Sequence, residues 1–250
     1  MKKVCIKKLN KIAIFVPCFI NKIEPEVGIK AIEILKKINC NFIIAENQTC
    51  CGQPFFNSGY QKETIPFAKN FIRNFHNLNC EKILFLSSSC FGFVKNYYEK
   101  LNLKESYLKD FQEIKEKLID FFEFFKINLP QNFKFKKFRK KVYLHPSCHL
   151  LREAKVYSNL IDILLKIEGI EIIEEEIPFC CGFGGTFSIK EPAISYEMAK
   201  RKFKIAKEKN PDLILIPDTS CYLHLNSYKL LNEKDLEVKN LIDFLYNMIE

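Results

Sequence analysis

Short apolar runs alternate along the whole chain with segments whose apolar residues recur every three or four positions. The first kind marks buried strands, the second amphipathic helices. In the first half the pattern predicts strands over 12–17, 42–45 and 83–87, with helices over 26–38 and 64–78; Val27, Ala31, Ile34 and Ile38 fall on one helical face. The second half reads likewise: strand 142–145, helix 150–167 with Tyr157, Leu160, Ile161, Leu164 and Leu165 inward, strand 170–174, helix 192–208, strand 213–216 and closing helices. Strand and helix in regular alternation imply parallel sheets joined by right-handed crossovers.

The cysteines mark the second half as a copy of the first. Cys18, Cys50 and Cys51 recur 130 residues on as Cys148, Cys180 and Cys181, and Cys90 recurs 131 residues on as Cys221. Flanking sequence repeats too: "TCCGQPFFNSG" matches "FCCGFGGTFSI", and "KILFLSSSC" matches "LILIPDTSC". "LIDFFEFFKI" at 118–127 matches "LIDFLYNMIE" at the C-terminus, so an amphipathic helix should close each half. The repeats divide as 1–130 and 131–250, the boundary running through "NLPQNFKFKKFRK". The expected fold is α/β: two tandem lobes with parallel sheets, related by a pseudo-two-fold axis. Each repeated cysteine then lies just after a strand, in the loops where open α/β sheets build their crevices.

Four converging thiols per half suit an iron–sulfur cluster or a structural zinc. Adjacent cysteines make poor disulfides, and the paired C-x-x-C knuckles usual for zinc are absent. Neighbouring thiols point apart and serve two irons more readily than two corners of one tetrahedron, which favours iron–sulfur; zinc is the alternative metal, and purely structural buried thiols the plainer one. All the glycines except Gly169 lie near these cysteines. Gly52 and Gly182 directly follow the paired thiols, where positive φ and exposed N–H groups would help hold a bulky cofactor, and Gly184 and Gly185 extend the second loop. "CCGFGGTF" breaks the G-x-G-x-x-G spacing, so a dinucleotide loop is not expected there. Cys5, Cys40 and Cys80 have no counterpart and read as core or surface thiols.

Three of the four histidines, His145, His149 and His224, accompany the second set of cysteines. His224 stands one helical turn beyond Cys221, within reach of the same metal, where the first half has Phe93. The second half is therefore the expected chemical half, with His149, Arg152 and His224 as candidate catalytic groups: His149 for proton transfer and Arg152 for a bidentate carboxylate contact. Capping a helix is the plainer alternative for a histidine after a strand.

Composition narrows the setting. Hydrophobic residues make up 48% and charged residues 28% of 250, ordinary for a globular protein, and no apolar run is long enough for a transmembrane segment. The net charge of +9 is spread along the chain and reads as solvated surface, so no nucleic-acid partner is expected. "NFKFKKFRKK" at 132–141 is the exception; it reads as a lysine-rich linker entering a strand, with a phosphate or acidic partner as the alternative. The basic, briefly apolar N-terminus lacks a small-residue cleavage site, so export is not expected. An odd count of 11 cysteines in a reducing cytoplasm points to metal or redox chemistry.

A strand-end cysteine, Cys-Cys-Gly and a further cysteine, all twice, resemble the cysteine-rich CCG domain. That domain occurs in the catalytic subunit of heterodisulfide reductases and in iron–sulfur subunits of glycolate, glycerol-3-phosphate and lactate oxidising systems. "TCCGQPFFNSGY", "HPSCHLLRE" and "CCGFGGTFSIK" resemble the lactate-utilisation protein A family most closely. The resemblance implies an oxidoreductase component: an iron–sulfur electron-transfer subunit of a cytoplasmic complex that oxidises L-lactate, a small 2-hydroxy acid, to pyruvate. It also implies [4Fe-4S]-type clusters on the two thiol sets, with a ferredoxin-like iron–sulfur subunit and a third small subunit as partners. In heterodisulfide reductases the last cysteine belongs to a Cys-x-x-Cys pair; here Phe93 and His224 take the second position. A thiol–disulfide oxidoreductase subunit of that type and a zinc-stabilised interaction protein remain as alternatives. No flavin or nicotinamide motif is present, so activity in isolation is not expected.

Overall fold

The computed structural model describes residues 9–233 and 235–250, with side chains from Lys11 onward; Cys5 lies outside the described residues. Strands β1 (Leu9–Phe15), β2 (Cys40–Ile44), β3 (Lys82–Phe85) and β4 (Leu118–Asp120) form one parallel sheet in the order β2-β1-β3-β4. Strands β5 (Lys141–Leu144), β6 (Glu171–Ile173), β7 (Leu213–Ile216) and β8 (Glu237–Asn240) form a second in the matching order β6-β5-β7-β8. Register follows the apolar runs: Ile14 pairs with Ile44 on one side and Leu84 on the other, as Leu144 pairs with Leu215.

Helices α1 (Cys18–Lys22), α2 (Pro25–Lys37), α3 (Gln53–Asn57), α4 (Gln61–His76), α5 (Ser88–Tyr97), α6 (Glu105–Lys115) and α7 (Phe121–Asn128) belong to the first half. The second contributes a π-helical turn (His149–Ala154), α8 (Tyr157–Leu164), α9 (Phe187–Lys190), α10 (Pro192–Glu208), α11 (Thr219–Asn232) and α12 (Leu241–Met248). Central strands are buried on both faces, as sheets covered by crossover helices must be, and Leu84, Phe85, Ile214 and Leu215 are fully enclosed.

The halves interlock by exchanging equivalent elements. Helix α7 packs on α8 of the second half, tied by Lys126 to Asp162 at 2.5 Å, while α12 returns to pack on α2 of the first half, tied by Lys30 to Asp243. Helix α5 likewise packs on the π-helical turn, and α11 on α1. Ser87 and its counterpart Asp218 meet on the axis, the serine hydroxyl donating to the carboxylate at 2.9 Å.

Three features differ from the pattern. Each sheet has a fourth strand, and the repeat at the end of each half is set differently from the matched "LID" segments. Leu118–Asp120 is a strand, whereas Leu241 already begins α12. The true counterparts are the caps: Asp120 accepts from Phe122 N–H at 2.8 Å, and Asn240 from Ile242 N–H at 2.9 Å. The predicted helix 150–167 is broken at Lys155, which takes φ 58°. The physical cause is the neighbouring half: Asn96 on α5 donates to the Glu153 carbonyl at 3.1 Å, diverting it from the helical ladder.

Candidate metal centres

Because all strands run in parallel, the loops after β1, β2 and β3 open on one edge of the first sheet, and those after β5, β6 and β7 on the matching edge of the second. In the first half Cys18 begins α1, Cys50 and Cys51 follow β2, and Cys90 sits in the first turn of α5. Their thiols form a contiguous row, Cys18 against Cys50, Cys50 against Cys51, and Cys51 to Cys90 with sulfurs 3.4 Å apart. The other set repeats this row through Cys148, Cys180, Cys181 and Cys221. Among the described residues these cysteines are free thiols. Cys40 and Cys80 are buried at the opposite, N-terminal edge of the first sheet.

The paired thiols are followed by glycines for a geometric reason. Gly52 has φ 91° and Gly182 φ 100°, and a Cβ at Gly182 would lie 2.7 Å from the Ser195 carbonyl oxygen of α10. The left-handed turn lets each glycine N–H face the first thiol of its pair, Gly52 to Cys50 at 3.3 Å and Gly182 to Cys180 at 3.4 Å. Gly184 and Gly185 continue the second loop toward α9, Gly185 facing Pro54 of the first half.

The two rows differ electrostatically. In the first, all four thiols are held above their ordinary value. Cys18 is raised first by its hydrogen bond to Cys50 and then by burial; Cys90 is pulled down by its hydrogen bond to Cys51, but burial together with the neighbouring Cys18, Cys50 and Asp218 leaves it raised. In the second, Cys148 and Cys181 are raised, but Cys180 is held far below by hydrogen bonds from Cys148 and Cys181. Cys221 is also lowered, by the hydrogen bond from Cys181 and, against burial, by His145.

His145 belongs to a buried charged group that has no counterpart in the first half. Lys202 of α10 contacts both Glu175 carboxylate oxygens at 2.5 and 2.6 Å, donates to the Phe179 carbonyl at 3.0 Å and lies over the Phe179 ring. His145 Nδ1 faces the same carboxylate at 3.3 Å. His145 and Lys202 are 0% exposed as side chains and Glu175 2%. His145 Nε2 is buried without a hydrogen-bond partner and lies within 4.8 Å of the Cys181 and Cys221 sulfurs. Burial pushes His145 down, but Cys221 and Glu175 more than offset it.

The other candidate groups surround this core. His149 faces Cys148 at 3.8 Å and reaches across the axis to Gln53 Nε2 at 2.9 Å. Arg152 is exposed and donates to the Pro178 carbonyl at 3.4 Å, beside the second loop. His224 packs behind Gly182, its Nε2 3.3 Å from Ser195 Oγ, and burial lowers it. Phe93, at the matching position, is buried in an aromatic stack with Phe56 and Tyr97. Across the axis Phe19, next to Cys18, meets Phe183 edge-on at 5.5 Å, and Ser58 bonds Thr186 at 2.6 Å. Asp218 lies between the rows; burial raises it, but hydrogen bonds from Ser220, Ser87 and Ser89 and the nearby His149 leave it below its ordinary value. The basic 132–141 stretch lies away from these loops: Phe135 bridges to Ile249, and Lys141 begins β5.

Four contiguous thiols per half, two aided by backbone N–H groups, and one orphaned imidazole nitrogen form a donor set that fits a soft or borderline transition metal or an iron–sulfur group.

Comparison with known proteins gives a family model, the cysteine-rich CCG domain, matching residues 12–95 and 142–226. Among curated proteins, lactate utilization protein A 1 of Bacillus mycoides is 32% identical over 237 residues, covering 94% of this chain and 96% of its own. Lactate utilization protein A of Macrococcus caseolyticus is 31% identical over 241 residues, covering 96% and 98%. Among solved structures, an Asp/Glu racemase homologue from Yersinia pestis aligns over 96% of both chains at 11% identity and TM-score 0.39, too distant to argue from.

Proposed function

Because the chain belongs to the cysteine-rich CCG domain family, in its lactate utilization protein A branch, we propose that it is an iron–sulfur electron-transfer component of machinery that oxidises L-lactate to pyruvate. The observation that carries this reading is the duplicated row of thiols, two sets of matching order at the loop edges of two sheets, each with two buried and two half-buried cysteines. Cys18, Cys50, Cys51 and Cys90 would hold one centre and Cys148, Cys180, Cys181 and Cys221 the other. Bound there, iron–sulfur groups supply reversible one-electron storage that no side chain of the protein offers.

The chain's own contribution is to hold, shield and tune. Gly52 and Gly182 N–H groups face the first thiolate of each pair, and hydrogen bonds to thiolate sulfur favour the charged, ligating form. Tyr98 donates to the Cys51 carbonyl at 2.8 Å and fixes the first loop against the core. Ser87, Asp218 and the Phe19–Phe183 contact keep the two loops facing one another across a seam. His149, bonded across the seam to Gln53, is positioned to carry a proton beside Cys148, and Arg152 to meet a carboxylate at the rim of the second loop. A ferredoxin-like iron–sulfur subunit and a third small subunit complete the machinery in this reading, and the cytoplasm is its place; among the described residues no helix is long and apolar enough to cross a membrane.

Anaerobic purification with iron, acid-labile sulfide and zinc analysis tests the reading. Iron and sulfide are expected, with Cys51→Ser and Cys181→Ser each removing one spectroscopic signal and leaving the other. Stoichiometric zinc without iron or sulfide would overturn it.

A further inference from the structure

The two halves share a fold and a thiol row, so a position that is apolar in one and charged in the other isolates what the second half adds. His145 stands where the first half has Phe15, and Glu175 where it has Ala45, each 130 residues apart. Lys202 stands where it has Phe71: Gly52 abuts Thr64 and Phe67 as Gly182 abuts Ser195 and Met198, which aligns α4 with α10. In the first half Phe15 and Phe71 simply pack edge to face at 5.6 Å. An apolar filling therefore satisfies this architecture, and the second half holds three buried polar groups where it is not required to.

Their arrangement has a direction. Lys202 neutralises Glu175 through both carboxylate oxygens, Glu175 engages His145 Nδ1, and the far nitrogen, Nε2, is left unpartnered beside Cys181 and Cys221. A carboxylate on one imidazole nitrogen fixes the tautomer and the ring orientation so that the other nitrogen presents its lone pair; metal-bound histidines are held in this way. A buried polar atom without a partner loses its solvation uncompensated, so one lying beside two sulfurs calls for an occupant. Neither His149 nor His224 has this geometry: the first is bonded to Gln53 and the second faces Ser195.

We propose that His145 Nε2 is a ligand of the second centre, so that this centre is held by mixed imidazole and thiolate donors while the first is held by thiolates alone. The inference rests on the presence of a metal centre in the second thiol row. Glu175 is a positioning residue that acts through His145, and Lys202 balances its charge. Both rows keep their four thiolates, so the imidazole is an added neutral donor and makes the donor sets of the two centres unequal. The binding step balances simply: the metal takes the Nε2 lone pair and any proton held there leaves to solvent.

The experiment uses the Cys51→Ser variant, in which only the second centre is expected to remain, prepared with ¹⁵N-histidine and with natural histidine. With iron and sulfide bound, pulsed EPR of a paramagnetic state should show nitrogen hyperfine coupling that changes isotope pattern with the label. It should persist in His149→Ala and His224→Ala and vanish in His145→Phe, which restores the residue found in the first half. Because the unmutated position can be read by labelling, and the chain has only four histidines, the result does not depend on His145→Phe folding. An iron-loaded second centre without directly coordinated nitrogen, or coupling lost with His224 or His149, overturns the inference while leaving the proposed function standing. Zinc in place of iron overturns that function instead; imidazole scattering at the zinc X-ray absorption edge, absent in His145→Phe, then supports His145 as a ligand, and a thiolate-only spectrum refutes it.

Discussion

Lys202→Met isolates the buried ion pair beneath the second thiol row. The substitution keeps most of the apolar stem but removes the ammonium that contacts both Glu175 oxygens at 2.5 and 2.6 Å. The Glu175 side chain, 2% exposed, is left with His145 Nδ1 at 3.3 Å and the Phe179 N–H at 3.4 Å. Removing one member of a buried pair costs about 3–5 kcal/mol, because the surviving charge is neither solvated nor matched. For a chain of this size that is a fall of about 6–20 °C in Tm. Burial raises Glu175, and His145 and Lys202 together currently hold it below its ordinary value. Without Lys202 the burial dominates, the folded state takes up a proton as pH falls, and the deficit is largest near pH 8 and shrinks toward pH 5. Replacing both partners, as Glu175→Gln with Lys202→Met, leaves no orphaned charge and should return stability to within about 1 kcal/mol of the parent. Guanidinium denaturation of metal-free protein at the two pH values measures all of this. A single-variant loss below about 1 kcal/mol, or one indifferent to pH, would refute the buried pair.

Asp120→Asn should stabilise the protein above neutral pH. Burial raises the Asp120 carboxyl from 3.8 to about 7, so the folded state binds the proton more tightly than the unfolded chain and native stability falls as pH rises between those values. Asparagine, which caps the matching helix at Asn240, removes up to about 4 kcal/mol of that loss, and the variant and parent denaturation curves should converge below about pH 4. Gly182→Ala and Gly59→Ala share a positive φ, but only the first meets backbone, at 2.7 Å from Ser195 O. Gly59→Ala should cost about 1–2 kcal/mol for the left-handed turn, and Gly182→Ala more, with loss of metal from the second centre alone. The triple change His145→Phe, Glu175→Ala and Lys202→Phe, which copies the first half into the second, should leave thermal stability equal or higher and alter only the second centre's spectrum.

Much of this was legible in the sequence because the cysteines carry a register. Their spacing located the duplication, and the apolar runs placed the first three strands of each sheet. The fourth strand of the first sheet escaped because Leu118–Asp120 runs without a break into the apolar helix Phe121–Asn128, and three residues are too few to show a period of two. Asp120 is the missed signal, a carboxylate within an apolar run acting as a helix cap. Glu175 and Lys202 escaped for a different reason. "EIIEEEIP" and "AKRKFKIAKEK" look like solvated charge, and composition alone does not separate a buried lysine from its exposed neighbours. Position does: Ser195, Ala199, Lys202 and Ala206 follow helical spacing along the buried face of α10. Comparing the two halves at the same face sets Lys202 opposite Phe71.

That comparison also bears on why the asymmetry persists. A buried lysine–glutamate pair is a costly way to fill space, and apolar residues of similar volume serve as well or better. The first half shows such a filling within the same fold, with Phe15 and Phe71 in contact and Ala45 beside them in the core. Stability alone would therefore let His145, Glu175 and Lys202 drift toward the composition of their counterparts. The group is instead complete: each member is buried, and each polar atom is matched except the Nε2 that faces Cys181 and Cys221. A chain of three groups that ends at two thiols has its use at those thiols. The duplication supplied two equal scaffolds for sulfur, and the charged triplet makes them unequal.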